Sequence, residues 1–244
     1  MKKGLVVDLG LIEYGAALEW QRRVVAARKA GAVPDVLLLC EHPHVITLGR
    51  SGKRTNLRAS GQVLQQMGVS FFETDRGGDI TYHGPGQLVG YPILNLGDIR
   101  RDVAWYVRGL EEAMIRATAE FGIASRRVSG RTGVWVDVSE SEEKLGAIGV
   151  HLSRWVTSHG FAYNVSTDLD YFDLIVPCGI ANKRATSLEQ LLGRRVGKEE
   201  IAPRIGAHLG ELFGIDFRKA GGDAIDLLLR EHEEEALAST AHSG

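Results

Sequence analysis

The stretch that decides the fold is residues 145–152, LGAIGVHL, together with residues 161–165, FAYNV. Along FAYNV, large apolar residues alternate with small or polar ones, which is the period-2 pattern of a β-strand. LGAIGVHL is apolar, of strand length and spaced by glycines, and a third apolar run, VWV, stands before it at residues 134–136. Three predicted strands therefore follow one another without an intervening helix, so the chain does not follow strict βαβ alternation.

Helical patterns lie on either side of these strands. Apolar residues recur at helical spacing over residues 103–121, and a similar pattern begins at Tyr14 and ends near Gly31. Ser187 and Gln190 resemble a capping box, and Pro203 predicts a kink or a late start in the helix that follows. We predict an α+β fold with a mixed sheet and flanking helices: one domain over residues 1–220 and an acidic helical extension over residues 221–244.

Charge and cysteine content exclude several classes of protein. The net charge of −2 gives no general attraction to nucleic acid or to a membrane. The two cysteines, Cys40 and Cys178, form neither a disulfide framework nor a CxxC zinc motif. The first residues turn polar too soon for a signal peptide, and no apolar run approaches the ~20 residues of a membrane span. We therefore expect a cytoplasmic protein with reduced thiols, no metal and no membrane or nucleic-acid partner.

A glycine-rich segment, RGGDITYHGPGQ, covers residues 76–87. Its polar residues and glycines do not suit a core, and glycine lets backbone amides approach a ligand closely. A tight surface loop has the same composition, so both interpretations stand at this point. A nucleotide site is not indicated, because the glycines are followed by a predicted strand rather than by a helix N-terminus, and no Walker sequence is present.

Two further segments could carry chemistry. Cys178 stands between Pro177 and Gly179, where a thiol can be exposed, and a nearby ammonium group would favour its reactive thiolate. Cys40 ends an apolar run and is expected to be buried and inert. Lys144 and His159, taken alone, are typical of a strand end and of a structural histidine. Spacing does not place Lys144 beside Cys178, so the residues alone indicate only a candidate cysteine nucleophile near a glycine-rich ligand loop.

Taken together, these segments resemble the lipoyl(octanoyl) transferases of lipoate biosynthesis. The resemblance runs in order from about residue 5 to residue 217. It includes residues 41–43 (EHP), 47–50 (TLGR), 76–83 (RGGDITYH), 133–135 (GVW), 144–149 (KLGAIG), 159–162 (HGFA), 164–165 (NV) and 177–179 (PCG).

This resemblance implies a domain like that of the biotin and lipoate protein ligases and a two-step transfer without ATP or metal. Octanoyl would pass from acyl carrier protein to Cys178, and then to a lysine on a lipoyl domain of a 2-oxoacid dehydrogenase complex or on glycine-cleavage H protein. Cys178 would be the nucleophile, and Lys144 would lower its pKa. The implied substrate-binding residues are Arg76, Gly77, Gly78, Asp79, Ile80, Thr81, Tyr82, His83, Ala147, Ile148, Gly149, Gly160, Phe161 and Ala162.

Three alternatives differ in chemistry. An ATP-dependent lipoate or biotin ligase of the same fold would need a nucleotide loop and no cysteine. A Cys-His hydrolase would pair Cys178 with a histidine and would hydrolyse the acyl donor without an acceptor protein. A lipoyl-domain binding module would tolerate the loss of Cys178. A requirement for ATP would distinguish the ligase from a transferase, and activity that survives the loss of Cys178 would distinguish the binding module. Hydrolysis of the donor without an acceptor, as fast as transfer in its presence, would distinguish the hydrolase.

Overall fold

The structure is a computed structural model that describes residues 1–139, 141–176 and 184–241, with side chains as far as residue 238. Strands and helices alternate irregularly along these residues. The strands are β1 Lys2–Leu11, β2 Asp35–Glu41, β3 Val45–Leu48, β4 Ser70–Glu73, β5 Ile80–His83, β6 Gln87–Ile93, β7 Arg126–Val128, β8 Arg131–Val138, β9 Ser141–Ser153, β10 Val156–Asn164, β11 Arg184–Ala185 and β12 Ile215–Lys219. The α-helices are α1 Tyr14–Ala30, α2 Gly61–Gln66, α3 Val103–Ala119, α4 Leu188–Leu192, α5 Lys198–Phe213 and α6 Gly222–Ala241.

The described strands form one large sheet and one small sheet. The large sheet has the order β12-β1-β2-β6-β10-β9-β8-β7, with β11 beside β9, and the small sheet has the order β4-β3-β5. β1 is parallel to both β2 and β12, whereas β6, β8, β9 and β10 pair antiparallel. The predicted α+β fold with a mixed sheet is therefore confirmed.

Helices cover both faces of the large sheet, because alternate residues of its strands are apolar on both sides. On one face, Leu37 and Phe161 belong to a core shared with Leu110 of α3 and Ile205 of α5. On the other face, the core includes residues of α1 and α6. Cys40 is fully buried in this second core, as its apolar run predicts. A third, smaller core lies under the small sheet.

Local signals set several helix ends correctly. The Ser187 hydroxyl accepts a hydrogen bond from the Gln190 N–H, and Gly31 ends α1 in the left-handed conformation. A late start at Pro203 is wrong: α5 begins at Lys198 and includes Pro203, because other residues of that helix are held in the core.

Two regions bear on the remaining predictions. Residues 80–83, part of the predicted glycine-rich loop, form the strand β5, since they pair with β3. After residue 221, α6 places Ile225 and Leu229 in the core shared with α1. The boundary between a domain and an extension at this point stays a prediction. No helix in the described ranges is long and apolar enough to cross a membrane.

Candidate functional site

A cavity of about 490 Å³ lies between one face of the large sheet and the segment that leads into β5. Its lining comes from β5, β6, β8, β9, β10 and β11 and from residues 76–79. Its volume falls within the range of small-molecule sites in proteins. The cavity is therefore the main candidate for a binding site among the described residues.

Small residues on two neighbouring strands form the floor of the cavity. Gly149 of β9 is the register partner of Gly160 of β10, and Ala147 is the partner of Ala162. These residues lie two apart along each strand, so all four are on the same face of the sheet. The missing side chains leave a slot that would suit a slender, flexible chain better than a branched or cyclic group.

Residues 76–79 form the roof of the slot, and their position depends on glycine. The Gly77 N–H donates to the Val150 carbonyl at 2.9 Å, which ties the roof to β9. A Cβ at Gly149 would lie 2.8 Å from the Gly77 carbonyl oxygen, so any side chain there would push the roof away. The glycines of both segments thus keep the roof close to the floor.

Arg76 anchors the roof from inside the protein. Its side chain is buried, and its Nη2 donates to the carbonyl and the hydroxyl of Thr47 at 2.7 and 2.9 Å. Its Nη1 donates to the Gly77 carbonyl at 3.1 Å. A planar guanidinium can make these bonds in different directions at the same time, whereas lysine cannot reproduce that geometry.

Lys144 lies at one end of the cavity, on the face of an aromatic ring. Its Nζ is 4.6 Å from the centroid of Trp135, its register partner on β8. The indole face attracts a cation, and the contact is stronger where water is excluded. Arg131 lies near the same ring, with its Cζ 5.9 Å from the centroid. Two cationic side chains thus surround the indole ring at this end of the cavity, and Arg131 is also paired with Glu142 at 2.9 Å.

The histidines around the cavity are neutral at ordinary pH. Burial, with the charges of His42 and Arg76, lowers the pKa of His83 to about 3. Burial also lowers the pKa of His159, although its Nε2 is hydrogen-bonded to Asp75 at 2.7 Å. Both side chains serve as neutral hydrogen-bonding groups in the wall of the cavity.

Cys40 has a histidine neighbour, but the pair is not arranged for nucleophilic chemistry. The His42 Nε2 lies 3.6 Å from the Cys40 sulfur and 2.7 Å from the Tyr91 hydroxyl, and the His42 Nδ1 bonds to the Ile12 carbonyl. Burial raises the pKa of the Cys40 thiol far above its ordinary value. Cys40 is therefore held as an uncharged thiol, and it is not on the cavity lining.

The predicted site residues that the structure describes mostly converge on this one cavity. Lining it are Lys144, Arg76, Gly77, Gly78, Asp79, Ile80, Thr81, His83, Ala147, Ile148, Gly149, Gly160, Phe161 and Ala162. Tyr82 does not line it, because its side chain packs in the third core, with its hydroxyl 2.8 Å from His44 Nδ1. The roles of these residues stay predictions.

Cys178 lies outside the described residues, but the chain on either side of it can be followed. The Val176 N–H donates to the Asn56 carbonyl at 2.7 Å. Beyond the gap, Arg184 and Ala185 line the cavity and pair with β9, where Ala185 is the register partner of Lys144. The chain that follows Cys178 thus returns beside Lys144.

Several lining residues were not predicted to belong to the site. They include Tyr14, Gln87, Tyr91, Trp135, His159 and Asn164. A signal existed for Asn164, because it shares the period-2 face of Gly160 and Ala162 and is polar within a buried strand. No comparable signal marks Tyr14, which reaches the cavity from α1 through tertiary packing.

Among the described residues, no group of three or more His, Cys, Asp or Glu side chains could hold a metal ion. The lining instead combines a small-residue floor, buried hydrogen-bonding side chains and cationic groups at one end. Such a site can bind an apolar chain and carry out polar chemistry at the chain's head.

Comparison with known proteins identifies the family. The chain is 52% identical over 225 residues to an octanoyltransferase of Solibacter usitatus, covering 92% of this chain and 99% of the relative. It is 51% identical over 210 residues to one of Koribacter versatilis, covering 85% and 83%. The bipartite lipoate protein ligase of Thermoplasma acidophilum shares the fold, with a TM-score of 0.76, 16% identity and coverage of 95% and 92%. Residues 13–210 match the family described as the lipoyl protein ligase A/B catalytic domain, and the chain belongs to that family.

Proposed function

We propose that this chain is an octanoyltransferase of lipoate biosynthesis, which moves an octanoyl group through a thioester at Cys178 to a lysine of a lipoyl domain. The observation that carries the proposal is the slot floored by Ala147, Gly149, Gly160 and Ala162, with Lys144 at one end. The relatives named octanoyltransferase share about half of their residues with this chain, which supports the same activity here.

The shape of the slot suits a linear acyl chain. Octanoyl has no polar atom beyond its carbonyl group, so its binding energy comes mainly from removing methylene groups from water, about 0.8 kcal/mol for each. A floor of glycine and alanine gives the chain room along the strands. The carbonyl group would then lie near Lys144, where charge develops during the reaction.

In the proposed first step, the Cys178 thiolate attacks the thioester carbonyl of the donor. A new carbon–sulfur bond forms, the bond to the carrier's sulfur breaks, and the departing thiolate takes up a proton. One thioester replaces another of similar energy, so this step needs no ATP. The Lys144 ammonium group stabilises the attacking thiolate by its charge.

In the second step, the ε-amine of the acceptor lysine attacks the acyl group on Cys178. An amide bond forms, the carbon–sulfur bond breaks, and one proton leaves the amine while Cys178 departs as a thiolate. The amide is much more stable than the thioester, which makes the step favourable. Lys144 in its neutral form could accept the proton from the incoming amine.

The proposal names the partners by their chemistry. The donor is octanoyl-acyl carrier protein, which supplies an acyl group already activated as a thioester. The acceptors are lipoyl domains of 2-oxoacid dehydrogenase complexes and glycine-cleavage H protein. The structural analysis of the Thermoplasma acidophilum lipoate protein ligase also covers its E2 lipoyl domain, which supports lipoyl domains as the class of acceptor. A cytoplasmic location is part of the proposal, since a catalytic thiol must stay reduced.

The proposal is tested by mapping the acyl group. The protein is incubated with octanoyl-acyl carrier protein without ATP, digested and analysed by mass spectrometry, with and without hydroxylamine, which cleaves thioesters. We expect a hydroxylamine-sensitive octanoyl group on the peptide that contains Cys178 and its transfer to an added lipoyl domain. Cys178→Ala should lose both products, whereas Cys40→Ala, which removes a buried thiol, should retain both.

Three outcomes would contradict the proposal. Full transfer by Cys178→Ala would exclude the thioester at that residue. A strict requirement for ATP would indicate a ligase. Release of octanoic acid without an acceptor, as fast as transfer in its presence, would indicate a hydrolase.

A further inference from the structure

A row of buried polar side chains crosses the protein along the wall of the cavity. It joins the glycine-rich roof to the strand beside Lys144, and each member contacts the next. The members, in spatial order, are the side chains of Arg76, Thr47, His83, Gln87 and Asn164 and, at the far end, the backbone of Thr186, all of them buried residues.

The direction of every hydrogen bond in the middle of the row is fixed by backbone carbonyls, which can only accept. Thr186 O accepts from Asn164 Nδ2 at 2.9 Å, so Asn164 Oδ1 must face Gln87. Tyr82 O accepts from Gln87 Nε2 at 3.2 Å, and the same nitrogen donates to Asn164 Oδ1 at 2.9 Å. The Gln87 oxygen is then left to accept from His83 Nδ1 at 2.7 Å.

The hydrogen-bond directions in the middle of the row also set those at its roof end. Since Nδ1 of the neutral His83 ring carries the proton, Nε2 is an acceptor, and it faces the Thr47 hydroxyl at 3.5 Å. That hydroxyl accepts from Arg76 Nη2 at 2.9 Å and can turn its own proton toward His83. Hydrogen bonds thus link the roof to the side-chain amides of Gln87 and Asn164.

The other end of the row holds Thr186 by both of its backbone groups. Its carbonyl accepts from Asn164, and its N–H donates to the Lys144 carbonyl at 3.0 Å. Thr186 directly follows β11, which is the first described strand after Cys178 and pairs with β9. The Asn164 amide is therefore a side-chain anchor for the chain that returns from Cys178 to Lys144.

We propose that Asn164 is a positioning residue, which holds residues 184–186 against β9 beside Lys144 and couples them to the glycine-rich roof. The inference rests on the proposed function, because its consequence for activity requires Cys178 and Lys144 to act together. An apolar residue would leave the Thr186 carbonyl without its bond to Asn164 and would remove one of the two bonds that Gln87 Nε2 donates, whereas aspartate would keep the acceptor but lose the donor.

The test combines a structural readout with the transfer rate. Asn164→Asp nearly conserves volume and removes the bond to Thr186, while Asn164→Ala removes both bonds without adding a carboxyl group. The matched control is Thr118→Val, which breaks a buried 2.8 Å bond between Thr118 and Tyr163, the neighbour of Asn164 on β10. Hydrogen–deuterium exchange of the peptide containing residues 184–187 is followed alongside octanoyl transfer.

We expect both Asn164 variants to exchange the Thr186 amide about tenfold faster than wild type and to transfer octanoyl at least tenfold more slowly, since the loss of one buried hydrogen bond is worth about a factor of ten. The control should show neither change. Unchanged exchange in both Asn164 variants would overturn the anchoring role, and faster exchange with wild-type transfer would overturn its importance for activity. The exchange measurement does not require an acyl group, so it tests the anchoring role even if the proposed function is wrong. The proposed function would fail on a different result, which is wild-type protein that forms no octanoyl adduct on Cys178.

Discussion

His83 should make this protein sensitive to acid in a measurable way. Burial, together with the charges of His42 and Arg76, lowers its pKa from 6.5 to about 3. As the pH falls below 6.5, the unfolded chain takes up a proton at this residue while the folded protein does not. The contribution of His83 to stability is therefore complete above pH 6.5 and is lost progressively as the pH falls toward 3.

The size of this loss follows from the two pKa values. From pH 6.5 down to pH 4, about 2.5 pH units, only the unfolded chain binds a proton at His83. Each of these units lowers the free energy of unfolding by about 1.36 kcal/mol. The expected loss is therefore about 3 kcal/mol. His83→Gln removes the titrating group while its amide can still donate to Gln87. We expect wild type to lose about 3 kcal/mol more unfolding free energy than this variant between pH 7 and pH 4.

Urea denaturation followed by circular dichroism at both pH values measures the difference. The other buried histidines, His42 and His159, titrate in both proteins, so their contributions largely cancel in the comparison. His232→Gln, on α6 and outside the three cores, is the control and should follow wild type. A difference below about 1 kcal/mol between wild type and His83→Gln would refute the reasoning, because it would mean that the His83 pocket admits a proton without unfolding.

Three further predictions concern the charged end of the cavity and its surroundings. Lys144→Met should raise the pKa of Cys178, measured as the pH dependence of its alkylation, since a neighbouring positive charge is lost; an unchanged value would leave Lys144 without that role. Trp135→Leu should slow octanoyl transfer by about 2- to 30-fold, because a cation–π contact is worth about 0.5–2 kcal/mol, and wild-type rates would show that the ring does not position Lys144. Arg50, Lys53, Arg54 and Arg58 form a basic group before the glycine-rich segment, and reversing the exposed Lys53 and Arg54 to Glu should slow acylation by acyl carrier protein at low salt but not by a small octanoyl thioester, since exposed charges steer only a charged donor. Equal losses with both donors would instead indicate a damaged pocket.

The fold was largely predictable because its signals are local. The alternation at residues 161–165 and the helical spacing at residues 103–121 depend only on which residues must face a core, and the structure forms β10 and α3 at these places. The strand β5 was missed for a physical reason. Residues 80–83 are a run of only four residues in a glycine-rich segment, and they become a strand because β3 provides the pairing edge.

The site was predictable in part, through the order of its motifs along the chain. The glycine-rich roof and the small residues of β9 and β10 do line one cavity. Tyr82 shows the limit of that reasoning, since a motif does not say which way each residue of a strand faces until the strand is paired. Trp135 and Asn164 show the same limit, because their contacts with Lys144 and Thr186 exist only once the strands have paired.

The sequence by itself determined most of the elements, the residue types available for chemistry and the family, because these depend on local pattern and on the order of motifs. Only the tertiary structure brought Lys144 onto Trp135 and returned the chain after Cys178 to the same strand. It alone closed a roof over the glycine floor and lowered the pKa of His83. These properties arise from the burial and mutual distance of groups far apart in the chain, and local sequence carries no information about either until the sheet has formed.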